Sequence, residues 1–211
     1  PEMTAWSERH NFPFSFITEA SVNLAEDEEL LENMKRAGFR RVFLGIETPV
    51  RDSLLEAQKE QNTRGELLDA VRRIQDFGIE VMAGFIVGFD NDPSDIFERQ
   101  IEFIRASAIP LAMVGLLNAL PQTQLWRRLK REGRLLTESS GNNTDSSLNF
   151  IPRIDASDLV AGYRSIMKTI YSPDEYYQRA LQSLERVRSE SAEPRRTGLL
   201  MDALTLSRVV M

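Results

Sequence analysis

Apolar runs and amphipathic segments alternate along the first two thirds of the chain. Nearly continuous apolar runs predict four strands, at residues 12–18, 41–46, 79–89 and 111–117. Each run is followed by apolar residues at helical spacing, which predict helices that begin near residues 27, 63, 93 and 123. Strands that are apolar on both faces are typical of a parallel sheet covered by helices. The pattern therefore predicts an α/β fold, a partial (βα) barrel of about four βα units.

Residues that favour helix ends support these boundaries. Gly38, Gly78 and Gly133 follow amphipathic segments and are expected to terminate them. The sequence from Thr63 to Glu66 has the spacing of a capping box, so we expect it to open the second predicted helix. Ser172 and Pro173 are a similar start signal near the end of the chain.

The pattern changes after Gly133. A polar segment, residues 137–149, separates the βα units from helical spacing at 155–171 and from 172 to about 187. A further apolar helix is predicted at 198–211. We therefore divide the chain into a barrel part, residues 1–135, and a mainly helical C-terminal extension, residues 136–211.

Each predicted strand ends in polar residues. The strands end at Thr18 and Glu19, at Glu47, at Asp90 and at Asn118. In parallel βα folds, ligands bind at the carboxyl ends of the strands, so these residues are expected to form one polar rim. Helix capping could explain Asp90, but it explains Glu47 poorly because the next capping signal lies sixteen residues later.

The carboxylates at the first two strand ends permit two chemical interpretations. Carboxylates of adjacent strands can accept hydrogen bonds from ribose hydroxyls or an amine, so Glu19 and Glu47 could hold a ligand. They could instead be the acid and base of another βα-barrel enzyme. Gly84 and Gly88 leave room for a close approach to the backbone of the third strand. Lys59 is either a solvated surface lysine or a cation that pairs with a ligand carboxylate.

Composition excludes several classes of site. The chain of 211 residues has no cysteine, which excludes disulfides, a thiolate nucleophile and thiolate-bound zinc or iron–sulfur centres within it. Its one histidine, His10, is expected at the surface rather than at a metal. A net charge of −6 argues against nucleic acid as a partner. No apolar run reaches the roughly 18–20 residues of a transmembrane segment. The first residues lack an initiator Met and a signal-peptide pattern, so we expect the chain to be part of a longer protein.

Four stretches in order, FSFITEAS, VFLGIETP, AGFIVGFD and NALPQTQLWRRL, resemble the latter part of a radical S-adenosylmethionine (SAM) domain, a TIM-like barrel. The resemblance covers residues 12–133. The fuller wording, with TEASVNLA, EAQKEQN and GRLL, is similar to radical SAM enzymes with an N-terminal cobalamin-binding domain. Hopanoid C-2 methylases and relatives of the magnesium-protoporphyrin ester cyclase belong to that group.

The resemblance implies a set of SAM-binding residues. Glu19 and Glu47 match positions that contact the ribose and methionyl parts of SAM, and Lys59 matches a basic position near its carboxylate. The adenine would lie against the strand residues Gly84, Ile86 and Gly88 and the segment 116–120, which includes Leu117. The acidic residue of the family is expected at position 91, which is Asn91 here, and Asp90 is the neighbouring candidate.

The resemblance also implies cofactors that this chain cannot hold alone. The cysteine loop for the 4Fe-4S cluster and the motif for the SAM amino group precede the matched region, so both would lie in a missing N-terminal half. The parent is then expected to be a cytoplasmic, cobalamin-dependent radical SAM methyltransferase or a related C–H functionalising enzyme, at the membrane if its substrate is a lipid. The chain alone is expected to be inactive. Alternatively, it is a non-catalytic interaction module whose open sheet edge pairs with itself or another chain.

Overall fold

A four-stranded parallel sheet forms the centre of the protein. The computed structural model describes residues 2–139 and 147–189. The strands are adjacent in chain order, β1-β2-β3-β4, and all pairs are parallel. Their bounds are Phe16–Ala20 (β1), Phe39–Glu47 (β2), Glu80–Val87 (β3) and Ala112–Leu116 (β4). This arrangement confirms the predicted α/β fold with an open sheet.

Helices connect the strands and continue beyond them. Eight α-helices lie in the described residues: Glu2–Arg9 (α1), Glu28–Ala37 (α2), Arg51–Glu56 (α3), Leu67–Asp76 (α4), Ile96–Ala106 (α5), Gln124–Arg131 (α6), Ala156–Ile170 (α7) and Pro173–Ser189 (α8). Two short 3-10 helices, Val22–Glu26 and Glu60–Thr63, lie in the connections after β1 and β2. The helix predicted at 198–211 lies outside the described residues.

One face of the sheet carries the core. In β2 and β3, alternate residues are fully buried and their neighbours are only half-buried. The buried set packs with α2, α4, α5 and α7 and includes Val42, Leu44, Ile46, Val81, Ala83, Phe85 and Val87. The other face is also apolar, which is why the strands looked continuous in sequence. Met113 on this face is 62% exposed, so helices cover the sheet on one side, as in the predicted partial barrel.

Several predicted helix ends are present, and one is absent. Gly38 ends α2 with a left-handed φ of 102°. The Thr123 side chain accepts a hydrogen bond from the Trp126 N–H at the start of α6. The capping box at Thr63 is wrong: Thr63 ends a 3-10 helix and donates to the Glu60 carbonyl, while α4 begins at Leu67 after Glu66. Its hydroxyl is therefore engaged with the preceding turn instead of the next helix.

The N-terminal region differs from the predicted long strand. Residues 2–9 form α1, which the hydrophobic pattern did not indicate, and left-handed backbone at Asn11 and Phe12 ends it. The strand β1 consequently begins at Phe16 rather than at residue 12. His10 is exposed, and its ring stacks on Trp6 with centroids 4.4 Å apart.

The C-terminal helices are bound to the edge of the barrel by polar contacts. The buried guanidinium of Arg179 in α8 donates to the carbonyl oxygens of Ile109, Glu175 and Ile170. The Tyr171 hydroxyl donates to the Ala112 carbonyl at the start of β4, at 2.9 Å. Among residues 2–139 and 147–189, no helix is long and apolar enough to cross a membrane.

Candidate functional site

An open cleft lies at the carboxyl ends of β2, β3 and β4. Its volume is about 1280 Å³. The strand ends contribute Glu47, Ile86, Phe89 and Leu117, whereas the opposite wall comes from the end of α3 and from α6. Ligands of parallel βα folds bind at this end of the sheet, so the cleft is the candidate functional site.

Glu47 is the last residue of β2 and points into the cleft through an unusual backbone conformation. Its φ is 67°, in the left-handed region, and the register with β3 shifts between Gly45 and Glu47. A non-glycine residue in this region stores strain, which persists only when the surroundings hold it. The bulge therefore directs a carboxylate from the strand into the cleft.

Lys59 holds the Glu47 carboxylate. Its ammonium lies 3.0 Å from Oε1 of Glu47, and the Glu47 side chain is 16% exposed. Gly45 makes room for the pair, because a Cβ there would lie 2.9 Å from Glu47 Oε1 and 3.3 Å from Lys59 Nζ. The predicted cation above the rim is thus bound to a protein carboxylate, with 34% of its side chain still exposed.

Asn62 fixes the backbone beneath this ion pair. Its buried side-chain amide donates to the carbonyl oxygens of Gly45 and Ile46, at 3.0 and 3.1 Å. These carbonyls belong to the two residues before Glu47, where the register with β3 shifts, and the Ile46 carbonyl also accepts from the Thr48 N–H. Asn62, which the sequence analysis did not single out, is therefore a positioning residue for Glu47.

Protein side chains lie close to Gly84 and Gly88, the two glycines where a ligand was predicted to approach the third strand. A Cβ on Gly84 would lie 3.1 Å from the ring of Phe43, and a Cβ on Gly88 would lie 3.1 Å from Leu159 of α7. Gly88 also has a left-handed φ of 109°. In this structure the glycines allow close packing of the chain on itself.

The buried carboxylate of Asp90, in the loop after β3, lies among three arginines. Arg134 donates two hydrogen bonds to its carboxylate, each of 2.7 Å. Arg128 lies 3.1 Å and Arg153 3.7 Å from the same group. The Asp90 side chain is only 4% exposed and is not among the residues that line the cleft.

Two further carboxylates organise the same loop. Asp92 accepts hydrogen bonds from the backbone N–H of Gly88 and Phe89, and from the Ser53 hydroxyl at 2.6 Å. Glu56 accepts from the backbone and side chain of Asn91 and pairs with Arg128 at 2.6 Å. These contacts join α3, the loop after β3 and α6 into one wall.

The pKa values of the two aspartates of this loop are shifted in opposite directions. Burial acts to raise the pKa of Asp90, but the Arg134 hydrogen bond and the charges of Arg134, Arg128 and Arg153 outweigh it, so this pKa is lowered. Burial raises the pKa of Asp92 despite its hydrogen bonds from Ser53 and two backbone N–H groups. Hydrogen bonds with Asp90 and Glu132 raise the pKa of Arg134 despite its burial.

The helix α6 supplies most of the charge of the cleft. The lining residues include four cations of this helix, Arg127, Arg128, Lys130 and Arg131. Arg128 is paired with Glu56 and Asp90, whereas Lys130 lies over the Trp126 ring at 4.5 Å. From sequence, α6 was predicted only as a barrel helix, and the positive charge of its run WRRLKR was not recognised.

The cleft brings together part of the predicted site. Glu47, Ile86 and Leu117 line it, and Lys59 joins it through Glu47. Glu19 is exposed on β1, where it pairs in register with Phe43 on the uncovered side of the sheet, and it does not line the cleft. In the described part of the chain, no three histidine or carboxylate side chains cluster to bind a metal ion.

Comparison with known families divides the chain into two matched regions. Residues 5–104 match the radical SAM superfamily. Residues 123–211 match a domain of unknown function, DUF4070.

Individual relatives agree with these matches. An uncharacterized methyltransferase of Synechocystis sp. is 46% identical over 84% of this chain and 33% of its own length. The hopanoid C-2 methylase of Rhodopseudomonas palustris is 38% identical over 85% of this chain and 33% of its own length. An uncharacterized methyltransferase of Pyrococcus horikoshii is 29% identical over 53% of this chain. The chain thus spans about a third of the length of the first two relatives.

Proposed function

We propose that this chain, whose residues 5–104 match the radical SAM superfamily, forms the SAM- and substrate-binding wall of a longer methyltransferase. The supporting observation is the cleft at the strand ends, where Glu47, Ile86 and Leu117 meet. Two relatives that match most of this chain are named methyltransferases or methylases. The division into a barrel part, 1–135, and a helical extension, 136–211, belongs to this proposal.

The residues of the cleft fit a nucleoside with an amino acid chain. A carboxylate has about four acceptor sites, so Glu47 can bind Lys59 and still accept from ribose hydroxyls or an amine. Ile86 and Leu117 offer an apolar surface for an adenine ring. We propose these three as SAM contacts, with Lys59 holding the Glu47 carboxylate in place. Glu19 is a further proposed contact, from the uncovered face of β1.

The remaining predicted residues shape this site by packing and hydrogen bonding rather than by touching the ligand. Gly88 and Asp90 shape the loop after β3, through Asp92 and the three arginines respectively. Gly84 lets the Phe43 ring pack close to the backbone of β3. We propose that their contribution to SAM binding is to hold the floor of the cleft.

The rest of the chemistry belongs to the longer protein. SAM with a 4Fe-4S cluster supplies a radical that attacks unreactive carbon, and cobalamin, as proposed from the resemblance, supplies a methyl group. This chain has no cysteine, so its residues do not fit the cluster. Its proposed partner is the N-terminal part of the same protein, which would cover the free edge at β1 in place of self-association. A cytoplasmic location, with membrane association if the substrate is a lipid, completes the proposal.

Neither alternative interpretation is favoured by the geometry. An acid–base pair of Glu19 and Glu47 would need both carboxylates in one site, but Glu47 is bound to Lys59 and only Glu47 lines the cleft. An interaction module without ligands would not need a strained residue to direct a carboxylate into a cleft.

Equilibrium dialysis with labelled SAM tests the proposal on the longer protein that contains this chain. Replacing Glu47 by Gln removes a charge-assisted contact and is expected to weaken SAM binding by about tenfold. Glu60→Gln is the matched control, because Glu60 is exposed and does not line the cleft. Equal affinities of the two variants, or no saturable SAM binding by the wild type, would contradict the proposal.

A second measurement tests whether the iron–sulfur cluster is held by the rest of the longer protein. Iron and sulfide reconstitution of the 211-residue chain alone is expected to give no stable four-iron cluster, since it offers no thiolate. A stoichiometric cluster absorption band from this chain would show that the assignment of the cluster to the missing part is wrong.

A further inference from the structure

The charge of the cleft is opposite to that of the chain. The whole chain has a net charge of −6. The charged residues that line the cleft are two carboxylates, Glu47 and Glu56, and four cations, all from α6. Clefts lined by one sign of charge concentrate ligands of the opposite sign. The cleft is therefore expected to attract anions although the protein as a whole is acidic.

Three of these cations have no carboxylate partner among the residues that the structure describes. Both carboxylates of the lining are already bound, Glu47 to Lys59 and Glu56 to Arg128. Within the described residues, no acidic side chain lies at ion-pair distance from Arg127, Lys130 or Arg131. Because no carboxylate of the described residues pairs with them, these three cations are available to an anionic ligand, as Arg128 is to Glu56 and Asp90.

Apolar surface lies next to the free cations. Leu120, Leu125 and Trp126 line the same part of the cleft. Lys130 lies over the Trp126 ring at 4.5 Å, which places its ammonium beside an apolar wall. A ligand that suits this wall has an apolar body and a negatively charged group.

We propose that the α6 wall of the cleft binds an amphiphilic substrate through its anionic group, a carboxylate or a phosphate. Arg127, Lys130 and Arg131 bind the anion, and Leu120, Leu125 and Trp126 contact the apolar body. This inference names the substrate class of the same cleft and rests on the proposed function in assigning the anion to the substrate rather than to SAM.

Two fluorescent probes of the same shape test the anion preference. The probe 8-anilino-1-naphthalenesulfonate is anionic, and N-phenyl-1-naphthylamine is its neutral counterpart. In the 211-residue chain, the triple variant R127Q/K130Q/R131Q is expected to bind the anionic probe roughly tenfold more weakly. Its affinity for the neutral probe is expected to be unchanged. The replaced side chains are exposed, so we expect the variant to fold, and its thermal unfolding is measured alongside.

A second triple variant controls for net charge. R64Q/R164Q/K168Q removes three exposed cations that do not line the cleft. It is expected to bind both probes like the wild type. If the two triple variants lose affinity for the anionic probe equally, or if the cleft variant loses none, the proposal is overturned.

SAM binding identifies which molecule carries the anion. In the longer protein, the cleft variant is expected to bind labelled SAM like the wild type. A loss of SAM binding equal to the loss for the anionic probe would assign the cations to the carboxylate of SAM and overturn this inference. If the wild type binds no SAM but the probe results hold, the proposed function fails and the anion site stands.

Discussion

Two strand-end carboxylates that look alike in sequence have different environments in the fold. Glu47 ends β2 and lines the cleft, with one lysine as its partner and 16% of its side chain exposed. Asp90 follows β3, is 4% exposed and is surrounded by Arg128, Arg134 and Arg153. Both follow buried apolar runs. The difference shows that a carboxylate at a strand end becomes available to a ligand only if the rest of the chain leaves it so.

The partners of the two groups explain the difference. Lys59 lies in the connection directly after β2, so the Glu47 pair is local and its lysine remains partly exposed. The principal partner of Asp90, Arg134, is 44 residues further along the chain. It reaches Asp90 only because α6 and the segment after it fold back over the end of β3. Asp90 therefore joins elements, whereas Glu47 faces a space.

Loss of the Asp90 charge is expected to have the largest effect on stability. Asp90→Asn removes the buried counter-charge of Arg134 and leaves it only the more exposed Glu132, which is expected to cost about 3 kcal/mol of unfolding free energy. Glu47→Gln breaks a partly exposed pair and is expected to cost less than about 1 kcal/mol. Urea unfolding at neutral pH measures both, with the slope of the transition checked for constancy.

The exposed pair of Asp95 and Arg99 is the control for this comparison. Asp95→Asn removes the same chemical group at the residue that precedes α5 and is expected to shift the urea midpoint little. If Asp90→Asn and Asp95→Asn had equal effects, the arginine cluster would not join the elements as described.

The stability lost in Asp90→Asn is expected to depend on pH. The pKa of Asp90 is lowered from 3.8 in the folded protein, so its contribution is present above pH 3.8 and is lost as the pH falls through the folded-state pKa. The difference between wild type and variant should therefore be full at neutral pH and shrink below pH 3.8. Urea unfolding across this range measures the difference. A constant difference would mean that the loss comes from packing rather than from charge.

Sequence predicted the parts of this architecture that depend on local signals. The four parallel strands, the glycine that ends α2 and the Thr123 cap of α6 all follow from periodicity and short-range hydrogen bonding. Glu47 stood out because the sequence showed no helix start near it. That reason was wrong, because α3 begins at Arg51, but Glu47 does line the cleft.

The parts that sequence did not predict depend on distant contacts. The arginines around Asp90 and the Glu56–Arg128 pair come from elements far apart in the chain. The predicted capping box at Thr63 failed because its hydroxyl bonds within the preceding 3-10 turn. The helix α1 was missed because its eight residues present only Thr4 and Ser7 to the interior, so it carries no apolar stripe.

We expect the structure at the end of β2 to be stabilised by a neutral side chain, Asn62, whereas the structure after β3 is stabilised by the charge of Asp90. The Asn62 amide donates to the carbonyls of Gly45 and Ile46 beside the bulge. The Ile46 carbonyl also accepts from the Thr48 N–H, so Asn62→Ala removes two hydrogen bonds but leaves that oxygen one partner, and we expect it to cost about 1–2 kcal/mol. Because no titrating group is removed, this loss should be the same at neutral pH and below pH 3.8, unlike that of Asp90→Asn. Asn23→Ala, at an exposed asparagine, is the control. A loss for Asn62→Ala that vanished in acid would show that the amide acts through the Glu47–Lys59 pair instead of through the backbone.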